Sequence, residues 1–526
     1  MNQEILTFCM QNGVLLDKKL IDLIDEFSDK EILKRFLSEI NFQYNQKILT
    51  ISFFNENKDK LGKHILSYSK ENREKIRQFF LSMGISLNLE IYDNKSLIFK
   101  DNETKSGSYI NLKRIYQNKP KKIEVSDFVK NFRSRFISIK NILQERKELE
   151  NLVSINRIEN SGSYSIIGLV YNKKVTKNDN ILLEVEDLTG RINTIITKNR
   201  PEVYQKAKEI LLDEVIGLKV SGSREIVFVN DIIFPDVKLI EKKRSQNNEF
   251  AAFTSDIHVG SDKFLESNFI KFIKWLNGEI GTSKQREDAL KVKYLFITGD
   301  SIDGVGVYPG QENQLIIHDV KAQYKKLAEL LSMIRKDVHI IVCPGQHDAV
   351  RVAEPQPFIG ENYGNDLYEL KNISLVTNPA LIEISDARFK ILMYHGASMH
   401  GIINSIDALR TNKAHNSPTS VIKYILRKRH LAPTHSLVTY TPCEDEDSLF
   451  IHEIPDIFLS GDLHRPEISE YNGVLLIASS CWQSITPFEE KVGNNPDPCK
   501  VPIMNLKTRE IKMLDFSDDL LGEKND

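Results

Sequence analysis

Hydrophobic positions near the start of the chain recur with the period of an amphipathic helix. Leu16, Leu20 and Leu23 are spaced at helical intervals, with acidic residues and lysines between them. Ser28-Asp29-Lys30-Glu31 is a capping box, which predicts the start of a second helix. The same pattern continues without any cluster of chemically reactive residues. We therefore predict a small helical domain over residues 1–85.

The pattern changes twice before residue 250. Residues 86–125 are rich in Asn, Lys, Asp and Ser, which predicts a flexible linker. A helical stripe then predicts a connecting helix over 126–150. Over 151–245 the period becomes that of β-strands, in the order strand–strand–strand–helix–strand–strand. This order is typical of an oligonucleotide-binding barrel, or OB-fold. A structural barrel that packs against a neighbour is an equal alternative, because the strands carry few aromatic side chains for stacking on bases: Tyr164, Tyr171 and Phe228.

From 246 to 520, short apolar runs end in polar clusters. The runs are EFAAFTSDIH, YLFITGD, HIIVCPGQHD, FKILMYHG and DIFLSGDLH. Each is typical of a buried strand with His or Asp after its C-terminal end, where ligands collect in layered α/β sheets. The predicted fold class is multidomain α+β, with a helical domain, a barrel and a third, layered domain.

Composition excludes several classes of protein. The chain has 526 residues and a formal net charge of −2, so any nucleic-acid contact must come from a local patch. None of the five cysteines falls in a C-x-x-C pair, and no apolar run reaches about 18 residues. The N-terminus also lacks the basic start of a signal peptide. We expect a soluble cytoplasmic protein without a disulfide framework or membrane span.

The polar clusters at the strand ends have the residue types of a metal site. They are Asp256-Ile257-His258, Gly299-Asp300-Ser301-Ile302-Asp303, Gly345-Gln346-His347-Asp348, His395 and Gly461-Asp462-Leu463-His464. Side chains at i and i+2 of an extended chain point the same way, so Asp256 and His258 can bind one ion. A single D-x-H motif often occurs by accident, but five polar clusters that each follow an apolar strand predict a metal centre.

This set of motifs resembles the signature of the calcineurin-like metallophosphoesterases: D-x-H, G-D-x-x-D, G-N-H-D, H and G-H-x-H. The resemblance implies an αββα sandwich with two divalent metal ions. It implies these ligands for the first metal: Asp256, His258, Asp300 and His464. It implies these ligands for the second, with Asp300 bridging: Asp300, Gln346, His395 and Asp462. His347 would be the acid/base imidazole, oriented by Asp303. Mixed His and carboxylate ligands suit Mn²⁺, with Mg²⁺ as the alternative.

The sequence around these motifs is similar to a narrower family, the small subunits of archaeal family D DNA polymerases. The similar segments include SDIHVGSDKF, PGQHDAVRVAEPQP, ILRKRHLAPTH and GVLLIASSCWQSITPFE. This resemblance implies a 3′-to-5′ exonuclease subunit that pairs with a large catalytic polymerase subunit. It also implies contact with primer-template DNA and single-stranded 3′ ends, and it makes the sliding clamp a further candidate partner.

Two departures from the signature leave alternatives open. Gln346 replaces the Asn of G-N-H-D, and Asp462 replaces the first His of G-H-x-H. Both fall on the second metal, so an inactive scaffold subunit is an alternative to a nuclease; a free-standing metallophosphatase is a third. Tyr308 and the basic run Arg427-Lys428-Arg429 are weak candidates for DNA contact, and an ordinary solvated helix end explains the basic run equally well.

Overall fold

The computed structural model describes most of the chain after residue 108. The described ranges there are 109–116, 122–158, 161–443, 446–492 and 494–517. Before residue 109 they are 7–9, 13–17, 20–21, 23–24, 30–44, 48–57, 61, 64–65, 68, 70–83 and 85. The start of the predicted capping box and most of the predicted linker lie outside the described residues. The chain divides into two compact units, Met1–Asn102 and Glu103–Asp526.

The described part of the first unit is mainly helical. Its elements are α1 (Lys30–Tyr44), α2 (Ile51–Glu56), α3 (Lys70–Ser82) and a short parallel pair, β1 (Leu15–Leu16) with β2 (Ile48–Leu49). Leu16 is thus in a strand and not in the helix that its spacing predicts, because it pairs with Leu49. Phe36, Phe54 and Phe80 are fully buried and pack edge to face, so aromatic contacts fill this core.

The second unit begins with β3 (Ile110–Ile115), α4 (Val125–Gln144) and a closed barrel. The barrel strands are β4 (Gly162–Val175), β5 (Ile181–Glu186), β6 (Arg191–Ile196), β7 (Val215–Ser223) and β8 (Ile226–Ile233). They close in the order β4-β5-β6-β8-β7, with α5 (Pro201–Lys208) between β6 and β7. In the β5–β6 hairpin, the Asp187 carboxylate accepts from the backbone N–H groups of Thr189 and Gly190. These bonds fix the turn between β5 and β6.

Two six-stranded sheets form the rest of the unit. The first has the order β12-β11-β10-β9-β18-β19, and β9 to β12 are parallel. Its strands are β9 (Phe250–Thr254), β10 (Val292–Thr298), β11 (His339–Cys343), β12 (Ile373–Leu375), β18 (Lys500–Asn505) and β19 (Ile511–Asp515). The second has the order β16-β17-β15-β14-β13-β3, and β14, β15 and β17 are parallel. Its remaining strands are β13 (Ala380–Ile384), β14 (Phe389–Met393), β15 (Ile457–Ser460), β16 (Glu467–Tyr471) and β17 (Val474–Ala478).

The prediction of a flexible linker over 86–125 is wrong for β3. This strand pairs antiparallel with β13 and forms an edge of the second sheet. Ile110 and Leu112 pack into the core between the sheets. The polar residues that alternate with them dominate the local composition, so the composition conceals the two-residue period of an edge strand.

Helices cover the outer face of each sheet, which gives four layers. The helices are α6 (Glu266–Leu276), α7 (Ser283–Leu290), α8 (Val320–Ser332), α9 (Glu361–Tyr368), α10 (Met399–Ser405), α11 (Asp407–Thr411) and α12 (Pro418–Lys428). A further short helix, α13 (Pro487–Val492), lies between β17 and β18 in the chain. Phe272 of α6 packs on the first sheet, and Ile425 of α12 packs on the second. Phe253 and Phe296 stack between the sheets, with ring centroids 5.5 Å apart. The predicted mixed α/β character is confirmed.

Two general expectations can be compared with the described residues. All five cysteines are buried, and none of them is joined in a disulfide. No described helix combines the length and the apolar character that a membrane span requires.

Candidate metal centre

The five polar clusters meet where strands of both sheets end. Asp256 and Asp300 each follow their strand, β9 or β10, by two residues, and Gln346 and His347 follow β11. His395 follows β14, and the Asp462 cluster follows β15. Because neighbouring strands are parallel, their C-terminal ends lie together at one edge of each sheet. The structure therefore assembles all the residues that the sequence predicts as metal ligands.

Left-handed backbone brings the D-x-H side chains together, and the simple alternation of an extended strand does not. Asp256 and His258 have φ values of 51° and 54°, and Asp462 and His464 have 67° and 53°. Asp300 has φ 46°. Non-glycine residues in this region cost roughly 1–3 kcal/mol each and collect at functional sites. The i, i+2 spacing thus predicts the Asp256–His258 pair, but the backbone there is not the extended one assumed, and Asp462 and His464 lie in different clusters.

A first cluster joins Asp256, His258 and His464. His464 Nε2 lies 3.4 Å from Asp256 Oδ1, and His258 Nε2 lies 4.0 Å from the same oxygen. The two Nε2 atoms are 3.3 Å apart. One carboxylate oxygen and two imidazole nitrogens therefore surround one point, as they would around a divalent ion.

A second cluster joins Asp256, Asp300 and His395. His395 Nε2 lies 3.2 Å from Asp300 Oδ2, and it lies 3.9 Å both from Asp256 Oδ1 and from Asp462 Oδ1. Asp256 thus belongs to both clusters in this structure, whereas the family resemblance gives the shared position to Asp300. Gln346 completes this side of the centre, because its amide nitrogen lies 3.1 Å from Asp462 Oδ1.

Three buried polar atoms at the second cluster lack hydrogen bonds. They are Gln346 Oε1, His395 Nε2 and Asp462 Oδ2, and none has a hydrogen-bond partner among the described residues. The 3.2 Å contact of His395 Nε2 with Asp300 Oδ2 is an ion pair without hydrogen-bond geometry. A buried polar atom without a partner costs about 1–3 kcal/mol, so such groups normally have a function. An amide oxygen, an imidazole nitrogen and a carboxylate oxygen are all suitable ligands for a cation such as Mn²⁺. The residues present therefore fit a divalent metal.

A shell of acceptors holds each imidazole in one orientation. His258 Nδ1 is 3.0 Å from Asp303 Oδ1, and His464 Nδ1 is 2.7 Å from Glu489 Oε1. His395 Nδ1 donates to the carbonyl oxygen of Thr298 at 2.8 Å. Each ring therefore directs Nε2 toward the centre, which is the usual arrangement behind metal-binding histidines.

His347 contacts the backbone of Asp303 and not its side chain. His347 Nδ1 donates to the backbone carbonyl oxygen of Asp303 at 2.7 Å. The Asp303 carboxylate instead contacts His258, Gln311 and Gln483. Asp303 still orients His347, through its main chain. The bond at Nδ1 leaves Nε2 as the nitrogen that can exchange a proton with a bound molecule.

The electrostatics of the centre keep its carboxylates ionised. Burial alone would raise the pKa of Asp300, but His395 and His347 hold it well below its usual value. Burial is likewise outweighed at Asp256, whose pKa His464 and His395 lower. Conversely, Asp300 and Asp256 raise the pKa of His395 well above its usual value despite burial. Several buried carboxylates this close together require positive charge nearby.

Asp348 organises the loop behind the centre. Its Oδ2 accepts from the backbone N–H groups of Gly345 and Ser301, and its Oδ1 accepts from the Tyr324 hydroxyl. Burial and the Asp300 carboxylate raise the pKa of Asp348 to about 6. Gly345 is required because a Cβ there would lie 2.1 Å from Asp300 Oδ1. These contacts set the position of the Gln346-His347 pair.

The basic run at the end of α12 is not a DNA-contact surface. Lys428 is buried, and its ammonium donates to Glu214 Oε2 of the barrel at 2.7 Å. Arg429 is also buried and donates to the backbone carbonyls of Ile451 and His452. Arg427 pairs with Glu209. The run joins α12 to the barrel, so the structure contradicts the weak prediction of phosphate contact.

A cavity of about 260 Å³ opens onto the clusters, and we call it the metal cavity. Tyr308, a weak DNA-contact candidate, lines it, with its ring centroid 6.2 Å from that of His347. Sequence reasoning missed other lining residues: His400, Gln483, Thr486, Glu489 and Asn494. The PFEEK segment around Glu489 has the pattern of an ordinary surface helix, and no sequence signal identifies Glu489 as the acceptor behind His464.

Comparison with known proteins identifies the family. A model of the family that comprises the B-type subunits of DNA polymerases alpha and epsilon matches residues 251–469. The chain is 38% identical over 395 residues to a DNA polymerase II small subunit of Methanothermobacter thermautotrophicus. The aligned region covers 75% of this chain and 80% of that protein. It is 33% identical to the corresponding small subunit of Thermoplasma acidophilum over 86% of this chain and 95% of that protein. The chain belongs to the DNA polymerase II small subunit family.

All five strand-end clusters of this family member lie inside the matched region 251–469. Glu489, which orients His464, lies outside it. Among solved structures, the chain is similar to one described as a novel archaeal phosphodiesterase. That similarity has 15% sequence identity and a TM-score of 0.24, over 50% of this chain and 98% of the other.

Proposed function

We propose that this chain is the small subunit of an archaeal family D DNA polymerase and that its metal centre hydrolyses DNA phosphodiesters from the 3′ end. The observation that carries the proposal is the pair of adjacent His/Asp clusters beside the metal cavity, with three buried polar atoms at the second cluster that lack hydrogen bonds. On this proposal the four-layer domain is of the calcineurin type, and the barrel is of the OB type. The partners are the large catalytic subunit, primer-template DNA and the sliding clamp.

Each residue then has a definite task. One divalent ion would be held by Asp256, His258, Asp300 and His464. The other would be held by Asp300, Gln346, His395 and Asp462. Bound ions supply a water molecule of lowered pKa and neutralise the charge of the phosphodiester. As water forms a new P–O bond and the P–O3′ bond breaks, the Nε2–H of protonated His347 donates its proton to the leaving 3′ oxygen. The Asp303 carbonyl stabilises the Nδ1–H of that imidazolium.

A second candidate is a scaffold subunit without catalysis. It is favoured by the bond between Gln346 and Asp462, because the Gln346 amide occupies an oxygen that the second ion would need. A bound ion must displace this hydrogen bond or bind the other carboxylate oxygen of Asp462. The two candidates differ in DNA cleavage and not in fold.

The test is cleavage of a primer whose 3′ end is mismatched and whose 5′ end is labelled. The full chain is assayed alone and with the large subunit, with Mn²⁺ and with a chelator. We expect Mn²⁺-dependent shortening from the 3′ end. Stoichiometric binding of two ions without any cleavage would favour the scaffold. Failure to bind metal at all would reject the proposed function.

A further inference from the structure

A second cavity lies beside the metal cavity and has the opposite charge. It measures about 570 Å³, and we call it the basic cavity. Its charged lining residues are Arg410, Lys413 and Arg465, joined by His400 and His415. The remaining described lining residues are four asparagines and one leucine, with no carboxylate among them.

The basic cavity adjoins the metal cavity. His400 and Asn494 line both of them. His400 Nε2 is 3.7 Å from Asp462 Oδ2, and the His400 ring centroid is 5.2 Å from that of His415. A chain molecule that leaves the metal centre on this side therefore enters the basic cavity directly.

The local contacts leave most of the positive charge available. Arg410 pairs with Asp407, whose side chain is 77% exposed, and Arg465 donates to the carbonyl oxygen of Asn495. An exposed ion pair of this kind contributes at most about 1 kcal/mol, so it does not neutralise the cavity. Lys413 is exposed and has a left-handed backbone at the start of a 3₁₀ turn. Metal binding in the adjacent metal cavity does not explain the positive charge of the basic cavity, because metal ligands are acidic or neutral.

The chemistry of the lining points to phosphate oxygens and not to bases. Lysine, arginine and asparagine side chains make the usual contacts with the nucleic-acid backbone. Apart from the two imidazoles, the described lining has no aromatic side chain on which a base could stack, whereas base-binding grooves depend on such side chains. An extended strand presents a row of phosphodiesters, and this matches a basic cavity next to a hydrolytic centre.

We propose that the basic cavity binds the phosphate backbone of the DNA strand whose 3′ end occupies the metal cavity. This inference rests on the proposed function, because it assigns the path of that substrate. The phosphates upstream of the scissile bond lie against Lys413 and Arg465 and hold the strand end in place. Binding by these contacts is independent of base sequence and depends strongly on salt.

The test compares two double variants of the full chain. The cavity double carries Lys413→Gln and Arg465→Gln. The control double carries Lys274→Gln and Arg286→Gln, which remove the same two charges from exposed positions that line neither cavity. Affinity for a labelled oligo-dT 20-mer is measured by fluorescence anisotropy in EDTA, so neither metal nor cleavage affects the result. The thermal midpoint is measured for each variant.

We expect the cavity double to bind the 20-mer at least about tenfold more weakly than the control double. Its slope of log K against log salt should be smaller by about 1.4, since each lost single-strand phosphate contact removes about 0.7. If the cavity double fails to fold, Lys413→Asn alone, which suits the left-handed backbone, should show half of the change in slope. Equal affinities and slopes for the two doubles would overturn the inference.

A kinetic comparison separates this inference from the proposed function. The kcat/KM for the 20-mer is divided by that for bis(p-nitrophenyl) phosphate, a diester with no further phosphates. We expect this ratio to fall at least about tenfold in the cavity double and to stay constant in the control double. Absence of cleavage in wild type would reject the proposed function, while the binding data would still decide on the cavity. If deoxythymidine 5′-monophosphate displaces the 20-mer as well as an unlabelled 20-mer does, at equal nucleotide concentration, the cavity binds a free nucleotide and not a strand.

Discussion

The side-chain amide of Gln346 donates a hydrogen bond of 3.1 Å to Asp462 Oδ1. These are the two positions at which the sequence departs from the metallophosphoesterase signature. Their other oxygens, Gln346 Oε1 and Asp462 Oδ2, are both buried without a hydrogen-bond partner in the described chain. The longer amide of Gln reaches the shorter side chain of Asp, so the two departures form one structural unit.

A first prediction follows from this unit. Gln346→Asn and Asp462→His, made singly, should each fail to strengthen Mn²⁺ binding at the second cluster, because each leaves the other side chain at the length that suits its lost partner. The double variant should bind more tightly than either single variant and should cleave faster than wild type. Adjacent residues typically show coupling of about 0.5–3 kcal/mol. Titration calorimetry with Mn²⁺ on all four proteins measures this coupling, and strictly additive effects would show that the two sites are independent.

The second prediction concerns Asp303. Asp303→Asn should lower Mn²⁺ affinity by roughly 10–100-fold, because its carboxylate fixes the ring of the ligand His258. The carbonyl bond to His347 remains in this variant. Equilibrium dialysis gives the affinity, and Glu312→Gln, an exposed acid of the same loop, is the matched control. Normal metal affinity with lost turnover would show instead that the Asp303 side chain acts on His347.

The third prediction tests the structural role of Lys428. Lys428→Met should destabilise the protein by about 3–5 kcal/mol, because it leaves the Glu214 carboxylate buried without its partner charge. Lys274→Met, at an exposed position, should change stability by less than about 0.5 kcal/mol. Urea unfolding measures both. Wild-type stability combined with a large loss of DNA affinity would support the sequence-based prediction that this run contacts phosphates.

The fourth prediction is a pH dependence of stability. His339 is buried beside the Ser374 hydroxyl, and burial lowers its pKa to about 4, whereas an unfolded histidine has a pKa of about 6.5. Between these two values the unfolded chain binds more protons, so stability falls as the pH drops from about 6.5 to about 4. The slope from this one group is on the order of 1 kcal/mol per pH unit. His339→Gln should lose that part of the slope in urea unfolding between neutral and mildly acidic pH; an unchanged slope would reject the assignment.

The sequence predicted the centre better than its surroundings. His395 and Asp256 could be identified because each follows an apolar strand, and the topology of parallel sheets brings strand ends together. The carboxylate behind His464 could not be predicted, because Glu489 is set in place by a loop and a short helix that carry no period. The basic cavity could not be predicted either, because its lining residues come from separate parts of the chain, from α10 to the start of α12 and from the segments after β15 and α13.

Charged residues were the main source of wrong predictions. Lys428 and Arg429 resemble a solvated helix end in the sequence, yet tertiary contacts bury them against the barrel and the loop after Phe450. Arg135 in α4 is buried likewise, where it pairs with Asp447 at 2.6 Å. A sequence pattern shows the period of a helix but not which long side chain finds a buried partner.

The most direct measurement of the central claim combines metal content with cleavage for wild type and His347→Ala. Both are prepared with the large subunit and loaded with Mn²⁺, and bound metal and shortening of a mismatched primer are determined on the same sample. We predict two ions per small subunit in both proteins and a turnover that is roughly 10²–10⁴-fold lower in the variant, the range expected for loss of a general acid. Equal cleavage by the two proteins, or no cleavage by a wild type that holds both ions, would contradict the account.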